Sequence, residues 1–356
     1  MFEDIIKGAA ANTVPEKEIM GNEDIQISIV GVGGGGCNTV DRITRMGVKG
    51  VTTVAINTDQ LHLRNLQANK RVLLGASITK GLGAGGFPEV GQKCAEASRE
   101  MLKQTLGDNQ LVFLCAGMGG GTGTGAAPVV ARIAKEEGAI VVAMVTYPFS
   151  LERARLKKAD WGLKQLVKEC DTVIVIDNNR LASYVPNLPI NDAFKLADMI
   201  TGKAVTGITD TILFPSLMNV DYADVKSVME NGGVSLISIG EGKGPDRIEQ
   251  VIKNALTHPL LDVSYEGAKN ALLHINGGTQ LTLGESIEIG EGITKNFDPR
   301  ANIKMGARLD PSLGDTISVT SIVTGLQCGH LKWNEEPTEQ REKVPSSMME
   351  MESFSF

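Results

Sequence analysis

No stretch of this sequence reaches the roughly 18 uninterrupted apolar residues that a membrane-spanning helix needs, which argues against an integral membrane protein. Basic stripes are missing as well: 35 Lys and Arg stand against 42 Asp and Glu, for a net charge of -7, and both signs are scattered. Nucleic acid is therefore not the obvious partner, and a small molecule or a protein is the better expectation. Cysteine pairs are absent. Cys37, Cys94, Cys115, Cys170 and Cys328 are odd in number, far apart and never spaced Cys-x-x-Cys, a pattern of reduced thiols in a cytoplasm. The first thirty residues lack a basic start, an apolar core and a small-residue cleavage site, so no export signal is read there. Aromatic residues are few, at 4%, whereas glycine is in excess at 41 residues and is unevenly spread, with dense clusters at 31–36, 81–86 and 117–125.

The 356 residues suit one large or two ordinary domains. Residues 1–24 are polar and broken by Pro15 and Gly21, and read as a loosely attached extension. From Ile25 onward, short β-branched runs (IQISIV, VTTVAI, LVFLC, IVVAMVT, VIVID) alternate with amphipathic segments at 37–46, 89–105, 126–137 and 152–169. Strands alternating with helices imply a parallel sheet covered on both faces, an α/β nucleotide-type domain. Ile190, Ala193, Phe194, Ala197, Ile200, Ala204, Ile208 and Ile212 fall mostly three and four apart, the period of one face of a long helix. Beyond it, a helix at DYADVKSVMEN, strands at VSLISIG, ALLHING and TISVTSIV and a helix at RIEQVIKNALTHP read as a smaller α+β domain. The tail KWNEEPTEQREKVPSSMMEMESFSF loses all periodicity and reads as disordered, with a short apolar peptide at its end.

Gly31, Gly33 and Gly36 satisfy G-x-G-x-x-G between a strand and a helix, where backbone N–H groups and a helix N-terminus can meet a phosphate. With Asp59 at the end of the next strand, this loop alone leaves a dinucleotide-dependent dehydrogenase open. The second cluster, TKGLGAGGFPEVGQK, is not a P-loop, because Gln92 and Lys93 stand where Lys and a hydroxyl are needed. The third, AGMGGGTGTGAAPVVARI, again follows a strand and opens a helix, with two threonine hydroxyls that can donate to phosphate oxygens. A dehydrogenase does not need a second phosphate cradle, whereas two loops at two strand ends can surround a triphosphate.

The string GGGTGTG resembles the [SAG]-G-G-T-G-[SAT]-G signature of the tubulin/FtsZ family. The likeness extends through GVGGGGCN, AINTD, TKGLGAGGFPEVG and NVDYADV and covers about residues 25–330, with ERARLKK and the N-terminal extension closer to archaeal than to bacterial members of the FtsZ branch. The resemblance implies an N-terminal Rossmann-like GTPase domain with a parallel sheet (25–189), a long central helix and following loop (190–224), a smaller C-terminal α+β domain (225–330) and a partner-binding tail (331–356). It implies a polymerising GTPase of cell division. Gly34, Gly35, Gly36, Cys37 and Asn38 would lie on the diphosphate side, Gly83, Ala84, Gly85 and Gly86 near the γ-phosphate, and Gly121, Thr122, Gly123 and Thr124 opposite.

By the same resemblance Glu152 would hold the ribose, and Asn178 and Asp198 would read the guanine edge; a carboxylate accepts from N1–H and the 2-amino group, which adenine cannot offer. The family string Glu-x-x-x-Arg is broken here, since Leu156 occupies the arginine position and Arg155 is the available substitute. Cys37 reads as a small apolar filler rather than a reactive thiol. By spacing alone Asp221 and Asp224 are helix-capping residues. The resemblance instead makes Asn219, Asp221 and Asp224 the loop that acts on the GTP of the next subunit in a head-to-tail filament, with GDP as product. Mg²⁺ would ride on the phosphates, with no protein metal ligand. A membrane-anchoring division protein, such as a SepF-like protein, would take the tail, and the chain would work in the cytoplasm at mid-cell. A filament for cell shape or DNA segregation is the alternative on the same machinery.

Overall fold

The structure is a computed structural model that describes residues 25–213, 218, 220–230, 232–257 and 265–326. The expected N-terminal extension and tail lie outside them. Seven strands, β1 (Ile27–Val32), β2 (Thr52–Asn57), β3 (Lys70–Leu73), β4 (Leu111–Gly117), β5 (Ile140–Tyr147), β6 (Thr172–Asp177) and β7 (Gly233–Val234), form one sheet in the order β3-β2-β1-β4-β5-β6-β7. Every pair in it is parallel. The apolar runs read from the sequence are its central strands, and their alternating side chains divide between two cores. Ile27, Ile29, Leu111, Phe113, Val142 and Met144 face one side; Val30, Val32, Val112, Leu114, Val141 and Ala143 face the other.

Twelve described helices follow the chain: α1 (Gly33–Met46), α2 (Gln60–Arg64), α3 (Ala76–Thr79), α4 (Pro88–Ala97), α5 (Arg99–Leu106), α6 (Thr122–Glu136), α7 (Arg153–Glu169), α8 (Asn178–Tyr184), α9 (Ile190–Leu213), α10 (Tyr222–Met229), α11 (Arg247–Leu256) and α12 (Leu283–Thr294). Helices α4 to α7 cover the second face with Cys94, Leu102, Ile133 and Leu163. The first face is covered by Val40 and Ile43 of α1 and by Ala204, Val205 and Ile208 of α9.

The sequence reading of one helix over 89–105 is corrected. The chain breaks at Ser98, whose buried hydroxyl accepts from the Gly75 N–H at 3.0 Å and so ties the turn to the preceding loop. Helix α1 begins at Gly33 rather than Cys37 and α6 at Thr122 rather than 126, so residues 34–36 and 122–125, which read as loop, already belong to the first turns of the helices. Strands β3 and β10 and helix α12 were not foreseen: KRVL and NIKMGARL carry too many charges, and LGESIEIGEGIT too many glycines, for a clear period.

The second sheet, β8 (Leu236–Lys243), β9 (Asn270–Gly277), β10 (Asn302–Leu309) and β11 (Thr316–Thr324), has the order β10-β9-β11-β8. Its β9–β10 pair is parallel and the other two are antiparallel. Helix α9, 24 residues and so about 36 Å long, runs between the two sheets, and one apolar cluster passes from Phe113 through Val205 and Ile208 to Leu272, Ile275 and Val319. The approach is close at Gly207, where a Cβ would stand 2.6 Å from Thr320 Oγ1 and 3.0 Å from Thr320 Cβ. Gly207→Ala should therefore destabilise the protein by about 1–3 kcal/mol through overpacking, read as a lower urea midpoint at unchanged slope.

Candidate nucleotide site

Strand order in the parallel sheet reverses between β1 and β4, and in open α/β sheets the crevice beyond the carboxyl ends of such strands is where ligands bind. Helices α1 and α6 start there, after β1 and β4. Neither has a side-chain cap at its first turn, so the free N–H groups and positive ends of both helices are available to an anion. The two loops touch backbone to backbone: Gly33 has φ of 73°, and a Cβ on it would lie 2.5 Å from the Gly123 nitrogen. Gly34 and Gly120, by contrast, have nothing within 4 Å of a Cβ position. Close contact and open space alternate, which is the shape of a cradle.

The third glycine stretch packs against the second. A Cβ at Gly121 would lie 2.9 Å from Ala84 Cβ and 3.1 Å from the Gly86 carbonyl carbon, so Gly83, Ala84, Gly85 and Gly86 are seated beside Gly121. Lys158 of α7 holds this loop from outside, donating from Nζ to the Gly86 carbonyl at 2.6 Å with its ammonium 5.6 Å from the Phe87 ring centre. Thr122 and Thr124 are buried. The Thr122 hydroxyl shares a hydrogen bond with Thr58 at 2.7 Å, and Thr124 Oγ1 accepts from the Gly119 N–H at 2.9 Å, so both also stiffen their own loops.

A cavity of ≈ 200 Å³ continues the crevice between α1 and α9, lined among others by Gly35, Asn38, Thr39, Phe194 and Asp198. Asp198 is buried with both oxygens engaged: Thr39 Oγ1 donates to Oδ1 at 2.6 Å, and Arg42 forms an ion pair with Oδ2. Burial raises its carboxyl above the usual range, against the pull of Thr39 and Arg42. Asn178, at the start of α8, has a buried Oδ1 with no partner, an acceptor left for a donor that comes from elsewhere. Glu152 caps no backbone group with its side chain at the start of α7; its carboxylate accepts from Arg155 Nη1 at 2.5 Å and from the Phe149 N–H at 3.3 Å. Arg155 thus stands on Glu152, and its Cβ lies 2.8 Å from where a Cβ on Gly119 would be.

Asp221 and Asp224 are elsewhere. They form a reciprocal capping box at the start of α10, Asp221 Oδ1 accepting from the Asp224 N–H at 2.8 Å and Asp224 Oδ2 from the Asp221 N–H at 3.4 Å. Next to them the Tyr222 hydroxyl donates to the Gln110 carbonyl at 2.8 Å, just before β4, whereas the glycine cradle begins after it. The seven residues of β4 span about 23 Å. The aspartates and the cradle therefore lie at opposite ends of the sheet, and one chain does not bring them together. Asn219 lies outside the described residues.

Sequence comparison decides the family. The Tubulin/FtsZ family GTPase domain matches residues 26–186 and the FtsZ family C-terminal domain residues 233–327. The cell division protein FtsZ 2 of Methanocaldococcus jannaschii is 56% identical over 307 residues, 85% of this chain and 81% of the relative. The chain belongs to the tubulin/FtsZ family. FtsZ 2 of Halobacterium salinarum is 49% identical over 92% of this chain and 85% of the relative. Among solved structures, the empty FtsZ dimer of M. jannaschii superposes with a TM-score of 0.78 at 42% identity, covering 91% of this chain and 92% of that one. CetZ2 of Haloferax volcanii, a GTPγS-bound protofilament, shares the fold at 21% identity and a TM-score of 0.73, covering 85% and 94%. The chain carries the family's GTPase domain and is a GTPase.

For this tubulin/FtsZ chain, sequence reasoning missed three residues that the fold brings to the crevice. Phe194 and Arg42 line the cavity, and His62 bridges Asn57 Nδ2 (3.1 Å) and Asn38 Oδ1 (3.0 Å). Phe194 was read only as one residue of a helical face, and Arg42 and His62 had no motif around them. Asp59 is an N-cap that accepts from the His62 N–H. Cys37 is fully buried with its thiol near the Gly31 and Ile56 carbonyls, and burial pushes its pKa up to about 12. Cys94, Cys115 and Cys170 are buried too. Iodoacetamide at pH 8 should leave all four unmodified in the native protein and alkylate them in denaturant, as read by mass spectrometry of peptides.

Proposed function

We propose that this chain is the polymerising GTPase of a cytoplasmic division ring, built by head-to-tail contact so that each subunit cradles GTP and its neighbour completes the active site. One observation carries this reading: the glycine cradle and the Asp221–Asp224 pair stand about a strand length apart at opposite ends of one sheet. A contact that joins one end to the other end of the next copy does not close on itself and generates a filament. Hydrolysis then depends on assembly by geometry.

In this mechanism the open N–H groups at the starts of α1 and α6 bind the phosphates, with Gly34, Gly35, Gly36, Cys37 and Asn38 on one side and Gly121, Thr122, Gly123 and Thr124 on the other. The Gly83–Gly86 loop, Ala84 included, covers the γ-phosphate. Glu152, with Arg155 on its carboxylate, receives the ribose. Guanine enters the cavity beside Phe194, its N1–H and 2-amino group taking Asp198 in exchange for Arg42, and the unpartnered Asn178 oxygen accepts from a base donor. From the next subunit Asp221 and Asp224, with Asn219 in the same loop, orient the attacking water and draw its proton as GTP becomes GDP and phosphate. Among the described residues no group of three or more His, Cys, Asp or Glu side chains could hold a metal ion. A Mg²⁺ would be carried by phosphate oxygens and water, where it would neutralise phosphate charge.

Division rather than cell shape or DNA segregation is favoured by the 49–56% identity to proteins named for cell division; the likeness to CetZ2 at 21% speaks for the fold alone. Among the described residues no helix is long and apolar enough to cross a membrane. Attachment at mid-cell would fall to the tail, where Met348, Met349, Met351, Phe354 and Phe356 can fill a groove on a membrane-anchoring protein of SepF type. These tail residues lie outside the described part of the chain.

The reading is tested by GTP hydrolysis against protein concentration, with light scattering on the same samples and ATP as control. A specific rate that rises together with scattering above a threshold is expected; a flat rate without scattering would remove the shared site. Asp224→Ala should bind GTP and assemble but hydrolyse ~100-fold more slowly or worse, leaving persistent filaments. Asp198→Asn should weaken GTP binding about 10- to 100-fold, the worth of a hydrogen bond to a charged group, and gain affinity for xanthosine triphosphate, whose second carbonyl the new amide can donate to. Unchanged GTP affinity would take Asp198 out of the base pocket.

A further inference from the structure

Two carboxylates that approach a bound triphosphate bring negative charge to negative charge, so the arrangement needs cations. The cradle supplies few. Residues 33–38, 83–86 and 117–124 contain no Lys or Arg, and Leu156 stands where an arginine is expected. Arg155 is engaged on Glu152, and Lys158 is anchored on the Gly86 carbonyl. At the opposite end of the subunit, however, Lys304 of β10 places Nζ 2.8 Å from Asp224 Oδ1. Strand β10 is an edge of the second sheet, and the Lys304 side chain is 37% exposed. The two aspartates are fixed by each other's backbone N–H groups through the capping box, while the ammonium is tied to Asp224 at the end of a flexible four-carbon stem.

We infer that Lys304 is a cation delivered in trans to the γ-phosphate: Asp224 holds it while the subunit is free, and docking of the aspartates at a neighbour's GTP carries it within reach of the γ-phosphoryl oxygens. There it offsets the charge that develops as the bond between Pγ and the β,γ-bridging oxygen breaks, the electron pair leaves on the GDP oxygen and the water oxygen bonds to phosphorus. The pairing also holds the Asp224 carboxyl below its ordinary range in the free subunit, through the hydrogen bond from the Lys304 ammonium. This inference rests on the reading that Asp221 and Asp224 act on the neighbouring subunit's nucleotide.

The test uses the full chain with Lys304→Met, Lys304→Gln and Lys304→Arg beside Asp224→Ala, and measures GTP hydrolysis per sedimented subunit over a range of GTP concentrations. Lys304→Met and Lys304→Gln should assemble and keep KM for GTP while kcat falls about tenfold or more; Lys304→Arg should retain most of the rate, because it keeps the charge. A wild-type rate per sedimented subunit in the neutral variants, with Asp224→Ala slow, would overturn the role of Lys304 and leave the aspartates in place. So would equal losses in Lys304→Arg and Lys304→Met, which would mark a purely structural contact. A wild-type rate in Asp224→Ala would sink the shared-site reading and this inference with it.

Discussion

The site depends on one constraint, the backbone-to-backbone contact between the loop after β1 and the loop after β4. A side chain at Gly33 would collide with the Gly123 nitrogen, and one at Gly36 would lie 2.0 Å from the Cys115 carbonyl oxygen. The pairing of β1 with β4 along six residues fixes the height at which the two helices begin. With the helices brought this close and left uncapped, a concentration of unsatisfied N–H groups arises that water or an anion must fill. This concentration of open N–H groups is thus a property of the sheet's topology, and the glycines are the residues that permit it.

Beside this cradle lies a buried charged pocket. Asp198 sits on α9, a helix whose remaining face is committed to the core between the two sheets, so its carboxylate is held in place by packing rather than by local loop structure. Arg42 and Thr39 satisfy it in the absence of a base. A buried carboxylate without such partners would be costly.

Much of this was legible in the sequence because the relevant signals are local. Apolar runs such as LVFLC and IVVAMVT announce central strands, and GGGTGTG between a strand and a helix announces a phosphate loop. Positions that depend on distant partners were not legible. Ser98 breaks a helix through a hydrogen bond to Gly75, 23 residues away, and His62 joins the site through Asn38, 24 residues away. Asp221 and Asp224 are instructive in another way: the capping role that their spacing announces is the one the structure shows. Their far-end position, marked by the Tyr222–Gln110 hydrogen bond, depends on the tertiary fold and is not written in the local spacing.

Helix α9 has a further consequence. Its Ala204, Val205 and Ile208 share one apolar cluster with Ile27 and Phe113 of the first sheet and with Leu272 and Val319 of the second. Neither sheet has a closed core of its own on that side. A fragment ending before the helix would keep only α1 over the inner face of β1, β4 and β5, leave the rest of that face to water and be expected to aggregate, and the second sheet expressed alone would likewise lose its cover. The two segments matched by separate family models therefore share one core and form one cooperative unit.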